Sequence, residues 1–242
     1  MSESSFEYVG SELEIFAHAH HWRAYWKSQI LPFVGRNVLE IGAGIGSVTR
    51  LLCSPDMNRW VAMEPDPSMY QRLRQMAERG ELAKNCAVRT GTIADLDPSE
   101  SFDSILYVDV LEHIENDRSE LEQALGHLEP NGHLIVLAPA HQSLFTPFDS
   151  AIGHFRRYSL PSLATLSPPG SRIVLSRYLD CVGLFASLGN RLLLHSSSPT
   201  LKQIKFWDSL LVRVSVKLDP FLNYRLGKSV IVVWQKMSGK LS

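Results

Sequence analysis

The feature of the sequence that most constrains the fold is the alternation of short, nearly continuous apolar runs with amphipathic segments of helical period. Such runs are typical of strands buried on both faces, and their alternation with helices predicts βαβ units around a parallel sheet. Helices are predicted at 67–79 and 118–127. Seven strands are predicted, at 37–41, 60–63, 87–90, 104–108, 133–138, 172–176 and 229–235. We therefore expect an α/β fold with a Rossmann-like, doubly wound, mostly parallel seven-stranded sheet.

Two regions lie outside this alternation, and we expect them to be additions to one domain spanning 1–242. Residues 1–36 carry Phe16, Trp22, Tyr25 and Trp26 and are predicted to form an N-terminal helical lid. Residues 37–176 form the predicted ligand-binding core. Residues 177–228 are too long for a plain link between two strands and predict a helical insertion, followed by the last strand and tail at 229–242.

The composition bounds the classes of function. The formal net charge of the 242 residues is −1, without long runs of one sign, which argues against electrostatic capture of nucleic acid. Cys53, Cys86 and Cys181 are widely separated and match neither a disulfide framework nor a zinc site, which favours a reducing, cytoplasmic compartment. The N-terminus has no apolar core of a signal peptide. The apolar stretch 179–194 is shorter than a transmembrane helix and is interrupted by polar residues. Stable membrane insertion is therefore not expected.

A glycine-rich turn follows the first predicted strand, in the run Val-Leu-Glu-Ile-Gly-Ala-Gly-Ile-Gly over 38–46. Glycine is needed where the backbone bends sharply and where a ligand approaches it closely. The dinucleotide fingerprint is G-x-G-x-x-G, but here the third glycine comes one position early and Ser47 stands in its place. Glu40 directly precedes the turn, where a carboxylate would suit a cationic group of a ligand.

The second predicted strand ends in an acid, Glu64. A carboxylate at that position can accept hydrogen bonds from both hydroxyl groups of a ribose. The alternative is a helix-capping role, for which Asp66 is better placed because it stands immediately before Pro67 at the predicted helix start.

The order of these motifs resembles class I S-adenosylmethionine-dependent methyltransferases. The resemblance covers roughly 38–139 and includes the run Phe-Asp-Ser-Ile-Leu-Tyr-Val-Asp-Val-Leu-Glu-His-Ile at 102–114 and Leu-Glu-Pro-Asn-Gly-His-Leu at 128–134. It implies S-adenosylmethionine as the cofactor and methyl transfer as the activity. The residues implied to bind the cofactor are Glu40, Gly42, Gly44 and Gly46 in the turn, Glu64 at the ribose, Thr92, Ile93 and Asp95 around the adenine, and Asp109 at the methionine end. The sequence departs from the family pattern at Thr92, where an acid is common.

The segment that follows the fifth predicted strand is rich in groups that can bind substrate or move protons. Its run at 139–159 resembles that of a bacterial subgroup of type 11/12-like methyltransferases, often associated with cell-surface sugars or natural products. Because a histidine titrates near neutral pH, His154 is the first candidate for a catalytic base, Asp149 its orienting partner and His141 the second candidate. Alternatively, Asp149 pairs with Arg156 or Arg157 and only pins the loop.

Further candidates for substrate binding are Arg156 or Arg157, toward an anionic group, and Tyr158 as a hydrogen-bond donor. Trp22 in the lid could attract a sulfonium cation, although ordinary packing of an amphipathic helix is the favoured explanation for this residue. His18, His20 and His21 lack a carboxylate or cysteine partner at ligand spacing, so no metal is predicted.

Within the insertion, apolar residues recur at helical spacing, namely Ile204, Trp207, Leu211, Val214 and Leu218. The pattern predicts a helix over 204–218 with one apolar face and with Trp207 and Leu211 largely buried. Burial against the sheet or over the active site is favoured, and contact with a membrane or a partner is the alternative.

The sequence thus predicts methyl transfer to a small-molecule acceptor by a monomer or homodimer, with the acceptor atom open between oxygen, nitrogen and carbon. Two alternatives are a nicotinamide-dependent oxidoreductase, which the glycine spacing disfavours, and a methyltransferase-like module that binds without turnover. Methylation of protein or RNA finds no support in a basic stripe or a matching motif.

Overall fold

The computed structural model describes residues 18–193 and 200–239. Within these ranges one sheet is formed by β1 (Asn37–Ile41), β2 (Arg59–Glu64), β3 (Cys86–Thr90), β4 (Phe102–Val108), β5 (Leu128–Pro139), β6 (Ser171–Leu179) and β7 (Ser229–Lys236). The order across the sheet is β3-β2-β1-β4-β5-β7-β6. The pairs among β1 to β5 are parallel, and β7 is antiparallel to β5 and β6. The predicted mostly parallel, Rossmann-like sheet is confirmed.

The helices lie on both sides of this sheet. They are α1 (His20–Ile30), α2 (Ser47–Leu52), α3 (Pro67–Glu78), α4 (Asp117–Gly126), α5 (Pro147–Ala151), α6 (Leu160–Thr165), α7 (Cys181–Leu193), α8 (Leu201–Phe206) and α9 (Arg213–Phe221). The two helices predicted at 67–79 and 118–127 are confirmed to within one residue at each end. Asp66 caps α3 as expected, since its Oδ1 accepts the N–H groups of Ser68 and Met69 at 2.8 and 2.9 Å.

The central strands are buried because helices cover both faces of the sheet. Leu39 and Ile105 belong to one buried cluster and their chain neighbours Val38 and Leu106 to the other, so each of these strands contributes side chains to a core on either side. The sequence underestimates the length of β5, which begins at Leu128 and includes the polar turn residues around Asn131. A register irregularity where β4 meets β5, between Phe102 and Ser104, accommodates that polar segment.

The strand order reverses between β1 and β4. In open α/β sheets the ligand crevice lies at such a reversal, outside the carboxyl ends of the strands. Here the glycine turn that begins at Gly42 leaves β1, and Asp109 leaves β4 beside it. The topology therefore places these two segments at the same end of the sheet.

The insertion before β7 is helical over 201–221 but is not a regular α-helix throughout, because Trp207–Val212 is π-helical. Ile204 and Trp207 are buried and Leu211 is partly buried, as predicted. Val214 and Leu218 are exposed, which corrects the predicted apolar face. A π-helical turn holds more residues than an α-helical one and rotates everything after it. The positions that turn inward are consequently Ser215 and Asp219.

The N-terminal helix α1 packs against this insertion. The Oδ1 atom of Asp208 accepts the N–H of Trp22 at 2.8 Å, and its Oδ2 accepts the N–H of His21 at 3.2 Å. Trp22 also contacts Trp207 with ring centroids 5.8 Å apart. Of the predicted lid aromatics, Trp22, Tyr25 and Trp26 are buried in α1, whereas Phe16 lies outside the described residues. In the ranges that the structure describes, no helix is long and apolar enough to cross a membrane.

Candidate active site

The backbone conformation of the turn after β1 requires glycine at three positions. Gly42, Gly44 and Gly46 have φ values of 65°, 54° and 75°, in the left-handed region that side chains disfavour. A Cβ atom on Gly42 would lie 2.6 Å from Cγ2 of Val110, and one on Gly46 would lie 2.8 Å from Cδ2 of Leu73. The turn is therefore pressed against the segment that leaves β4 and against α3, and its backbone faces the crevice.

Glu64 closes the other side of this turn. Its Oε2 accepts the N–H of Gly44 at 2.7 Å, and its Oε1 accepts the N–H of Asp66 at 2.9 Å. Burial raises the pKa of this carboxyl group, and the two backbone donors partly oppose that shift. Each carboxylate oxygen can accept a further hydrogen bond, so two hydroxyl donors of a ribose fit here.

Glu40, at the end of β1 before the turn, is buried. Its Oε2 accepts hydrogen bonds from Thr49 Oγ1 at 2.6 Å and Trp60 Nε1 at 2.8 Å. Its Oε1 has no hydrogen-bond partner among the described residues, and burial raises the pKa of Glu40 to about 7. The direct cation contact expected of Glu40 stays a prediction, and Oε1 is the oxygen that remains available for it.

The segment expected to frame the adenine follows β3, beside the end of β2. Asp95 accepts hydrogen bonds from the N–H of Thr92 at 2.7 Å and from Thr92 Oγ1 at 3.0 Å, and thereby caps the short helical turn Ile93–Asp95. Thr90 is the register partner of Glu64, so the turn lies on the same edge as the ribose candidate. The side chain of Ile93 is buried.

The end of β4 brings acidic residues to the crevice. Asp109, with a φ of 54°, is exposed to solvent at the start of the turn that leads to Leu111–His113. Glu112 in that turn is only 1% exposed, and neither of its carboxylate oxygens has a hydrogen-bond partner in the described part of the chain. Burial, followed by the neighbouring Asp109, raises the pKa of Glu112 well above its ordinary value.

Asp149 and His154, predicted as a pair, are in contact. His154 Nδ1 lies 3.0 Å from Asp149 Oδ1. Arg157 donates to both oxygens of the same carboxylate, at 2.8 and 3.0 Å, and Thr146 donates its N–H and its hydroxyl to Oδ2. Burial alone would raise the pKa of Asp149, but the bonds from His154 and Arg157 outweigh it and hold that pKa well below its usual range. Asp149 therefore both orients the histidine and pins the loop.

The free side of His154 faces Glu112. Its Nε2 lies 3.9 Å from Glu112 Oε1, and its ring meets that of His113 edge-on at 4.5 Å. Burial, together with His154, lowers the pKa of His113 to about 4, so His113 is neutral near pH 7. Ligand atoms of Glu112, His113 and His154 lie within 4.8 Å of one another, close enough to hold a metal ion, a grouping that the sequence analysis did not predict.

Arg156 and Tyr158 are engaged inside the protein. Arg156 donates to the carbonyl oxygens of Ile114 and Glu115, each at 2.9 Å, and forms an ion pair with Asp117 at 2.8 Å. Tyr158 is buried and donates to Asp117 Oδ2 at 2.8 Å. These bonds favour a role for both residues in fixing the loop against the turn after β4.

His141 and Trp22 lie at the side of the insertion. His141 Nε2 is 2.9 Å from the carbonyl oxygen of Gly227, and its ring stacks on Tyr178 with centroids 5.0 Å apart. Trp22 is buried between Tyr25 and Trp207. The geometry brings His154, rather than His141, to the buried carboxyl group.

Sequence reasoning missed Glu112 and Lys228 as site residues. Lys228 lies half-buried between the site and the insertion, with Nζ 4.0 Å from Asp180 Oδ2 and 3.7 Å from the centre of the Trp207 ring. The signal for Glu112 was an acid in the run Leu-Glu-His-Ile over 111–114, between two apolar residues, a pattern that an ordinary helix start also produces.

Comparison with known proteins identifies the core. Residues 39–134 match the family model described as a methyltransferase domain. A demethylmenaquinone methyltransferase of Tropheryma whipplei is 33% identical over 148 residues, which are 60% of this chain and 59% of that protein. A ubiquinone biosynthesis O-methyltransferase of Bradyrhizobium diazoefficiens is 32% identical over 106 residues, covering 42% of this chain and 39% of that one. The chain thus spans less than two thirds of the length of these curated relatives.

Solved structures agree with the fold. A coclaurine N-methyltransferase bound to N-methylheliamine and SAH superposes with a TM-score of 0.61 at 16% sequence identity, over 90% of this chain and 72% of that one. The sheet order, the glycine turn beside Glu64 and the matched methyltransferase domain coincide in one molecule. These matches support a class I S-adenosylmethionine-dependent methyltransferase, with the methyltransferase domain matched over residues 39–134.

Proposed function

We propose that the protein transfers the methyl group of S-adenosylmethionine to a small-molecule acceptor, with His154 as the base. The observation that carries the proposal is the alignment of Asp149, His154 and Glu112 at the turn that also packs against the glycine loop. A proton acceptor with a fixed orientation therefore stands beside the segment that matches the cofactor site.

The residues around the glycine turn fit the cofactor. Gly42, Gly44 and Gly46 allow the left-handed turn beside Glu64, and the buried carboxylate of Glu64 has acceptor capacity for two ribose hydroxyls. Asp95 remains our candidate for the adenine contact and Asp109 for the methionine end. When bound, S-adenosylmethionine supplies a methyl group already activated by a sulfonium, so the protein has mainly to position the acceptor and take up its proton.

His154 is suited to that proton. Because the ionised Asp149 can only accept, Nδ1 of His154 carries the hydrogen, and the lone pair of a neutral imidazole is left on Nε2. With the methyl group supplied by bound S-adenosylmethionine, whose carbon–sulfur bond would break to leave S-adenosylhomocysteine, the proton of the acceptor would pass to Nε2 of His154. Glu112, whose Oε1 lies 3.9 Å from Nε2, would then face the imidazolium.

Measurements of ligand binding and of methyl transfer distinguish a methyltransferase from an oxidoreductase and from a non-catalytic binding module. Calorimetry should detect S-adenosylhomocysteine but not NAD, and binding of NAD alone would overturn the methyltransferase proposal in favour of an oxidoreductase. Methyl-labelled cofactor should then label a small-molecule acceptor. Quinols with a free hydroxyl group are the first acceptors to test, because two relatives are named for demethylmenaquinone and ubiquinone biosynthesis. Cofactor binding without transfer to any acceptor would instead support a non-catalytic module.

A further inference from the structure

The insertion presents an apolar surface to solvent. Along its helical stretch the large apolar residues Phe206, Leu210, Val214 and Leu218 follow one another at intervals of four and are all exposed. Phe221 at the end of α9 is 85% exposed, and Phe206 is 56% exposed. Neighbouring α7 adds Phe185, which is 60% exposed. We call the exposed side chains of 201–226, together with Phe185, the outer face of the insertion.

Along α9 the buried positions are polar and the exposed positions are mostly apolar. Asp219 turns inward to accept bonds from the N–H of Asp180, the N–H of Cys181 and the hydroxyl of Tyr25. Ser215 likewise donates inward to Asp180 Oδ1 at 2.7 Å. An amphipathic helix of a globular protein normally has the reverse arrangement, and clustered exposed apolar residues mark a surface that binds something.

The charges of the outer face have one sign. The exposed charged residues described within 201–226 are all basic, namely Lys202, Lys205, Arg213, Lys217 and Arg225. The acidic residues of this stretch, Asp208 and Asp219, are buried. The whole chain has a formal charge of −1, so this concentration of positive charge is local. Helices that lie in a membrane interface combine apolar side chains with lysine and arginine in this way.

We propose that the outer face of the insertion docks the protein on the surface of an anionic membrane. Aromatic and aliphatic side chains would enter the boundary between headgroups and acyl chains, while the basic residues contact anionic headgroups. A second copy of this chain is a poorer occupant, because an isologous pairing would bring the same basic residues together.

Docking at this surface would hold the candidate active site near the lipid. Trp207, on the inner side of the same helix, contacts Lys228 and donates to Asp180 Oδ2 at 2.7 Å. The docking proposal does not depend on methyl transfer, but it would give the site access to an acceptor dissolved in the bilayer.

Sedimentation of the full chain with vesicles tests the proposal. The protein should sediment with vesicles that contain phosphatidylglycerol, should bind pure phosphatidylcholine much less, and should be released by salt. Replacing Lys202 or Lys205 by glutamate should weaken binding at least about fivefold for each residue. Phe206→Ser and Phe221→Ser should each weaken it about tenfold.

Matched controls are Lys84→Glu and Met237→Ser, exposed residues outside the insertion, which should leave vesicle binding unchanged. Circular dichroism of each variant reports whether it is folded. Absence of binding to anionic vesicles, or binding that the insertion variants do not weaken, would overturn the proposal. So would a dimer in sedimentation velocity that Phe206→Ser and Phe221→Ser dissociate. Methyl transfer to a water-soluble acceptor is measured separately, so failure of docking is distinguishable from failure of the proposed function.

Discussion

The ring of His154 is held between two carboxyl groups of opposite character, and its closer partner is Asp149, 3.0 Å from Nδ1. Asp149 has a lowered pKa because His154 and Arg157 donate to it, whereas Glu112 on the far side has a raised pKa because it is buried. One group therefore fixes the tautomer of the histidine, and the other lies near the nitrogen that remains free to accept a proton.

Removal of His154 should impair turnover and spare cofactor binding. His154→Ala is expected to lower kcat by about 10²–10⁴-fold, because the acceptor loses its base, while the Kd for S-adenosylhomocysteine stays nearly constant. Asp149→Asn should cost less, since an amide oxygen can still accept from Nδ1. The measurement is single-turnover methyl transfer alongside calorimetry.

The control for this experiment is His127→Ala, because His127 lies at the opposite end of the sheet, bonded to the carbonyl oxygen of Glu100. If His154→Ala retains full activity and His141→Ala loses it, the assignment of the base moves to His141.

Loss of Glu64 should weaken cofactor binding. Glu64→Ala removes an acceptor for the ribose hydroxyls and should cost about 1.5–3 kcal/mol, or roughly ten- to a hundredfold in Kd. Calorimetry with S-adenosylhomocysteine measures the effect, and thermal unfolding shows whether the fold persists. Glu78→Ala, on the exposed side of α3, serves as the control. An unchanged Kd in Glu64→Ala would remove this residue from the site.

Chelation should leave methyl transfer intact. Glu112, His113 and His154 are close enough to hold a metal ion, but a base needs the Nε2 lone pair of His154 free. We therefore expect the rate to be unchanged after dialysis against EDTA, and no absorption band on addition of Co²⁺. A rate lost with EDTA and restored by a divalent cation would contradict the histidine base and assign His154 to a metal site instead.

Stability should depend on pH through Glu112. Its pKa is raised in the folded protein, so the folded state binds more protons than the unfolded state between the ordinary pKa of glutamate and the raised value. The free energy of unfolding must then fall as pH rises through that window. Glu112→Gln removes the effect and should raise Tm at pH 8, by about 2–4 °C for each kcal/mol relieved, with a smaller gain near pH 4.5. Scanning calorimetry across this range checks it, and an equal Tm difference at both ends would contradict the raised pKa.

The sequence predicted what depends on local pattern. Apolar runs such as that ending at Ile41 locate strands because a strand buried on both faces needs such a run, and Pro67 after Asp66 locates a helix start. The contact of Asp149 with His154 was predictable because the residues lie five positions apart in one loop. The burial of Asp219 could not be predicted, because the π-helical segment Trp207–Val212 changes the period on which the helical pattern depends.

Long-range electrostatics were also outside the reach of the sequence. The raised pKa of Glu112 depends on burial beside Asp109 and on a loop that arrives after β5, and neither is encoded in the four residues around Glu112. The inward bonds of Asp208 connect positions 186 and 187 residues apart. Such partners follow only from the tertiary arrangement.

Because Asp208 caps α1, the chain cannot be shortened to begin at β1 without losing contacts of the insertion. The carboxylate of a residue in the insertion supplies the hydrogen-bond acceptors at the start of a helix that precedes the whole sheet. A fragment that begins at β1 would remove the donors that Asp208 has in His21 and Trp22, and the aromatic neighbour that Trp207 has in Trp22. The first helix and the insertion are therefore coupled. Any movement of α1 away from the sheet must either take the insertion with it or break the contacts of Asp208 and Trp207 with α1.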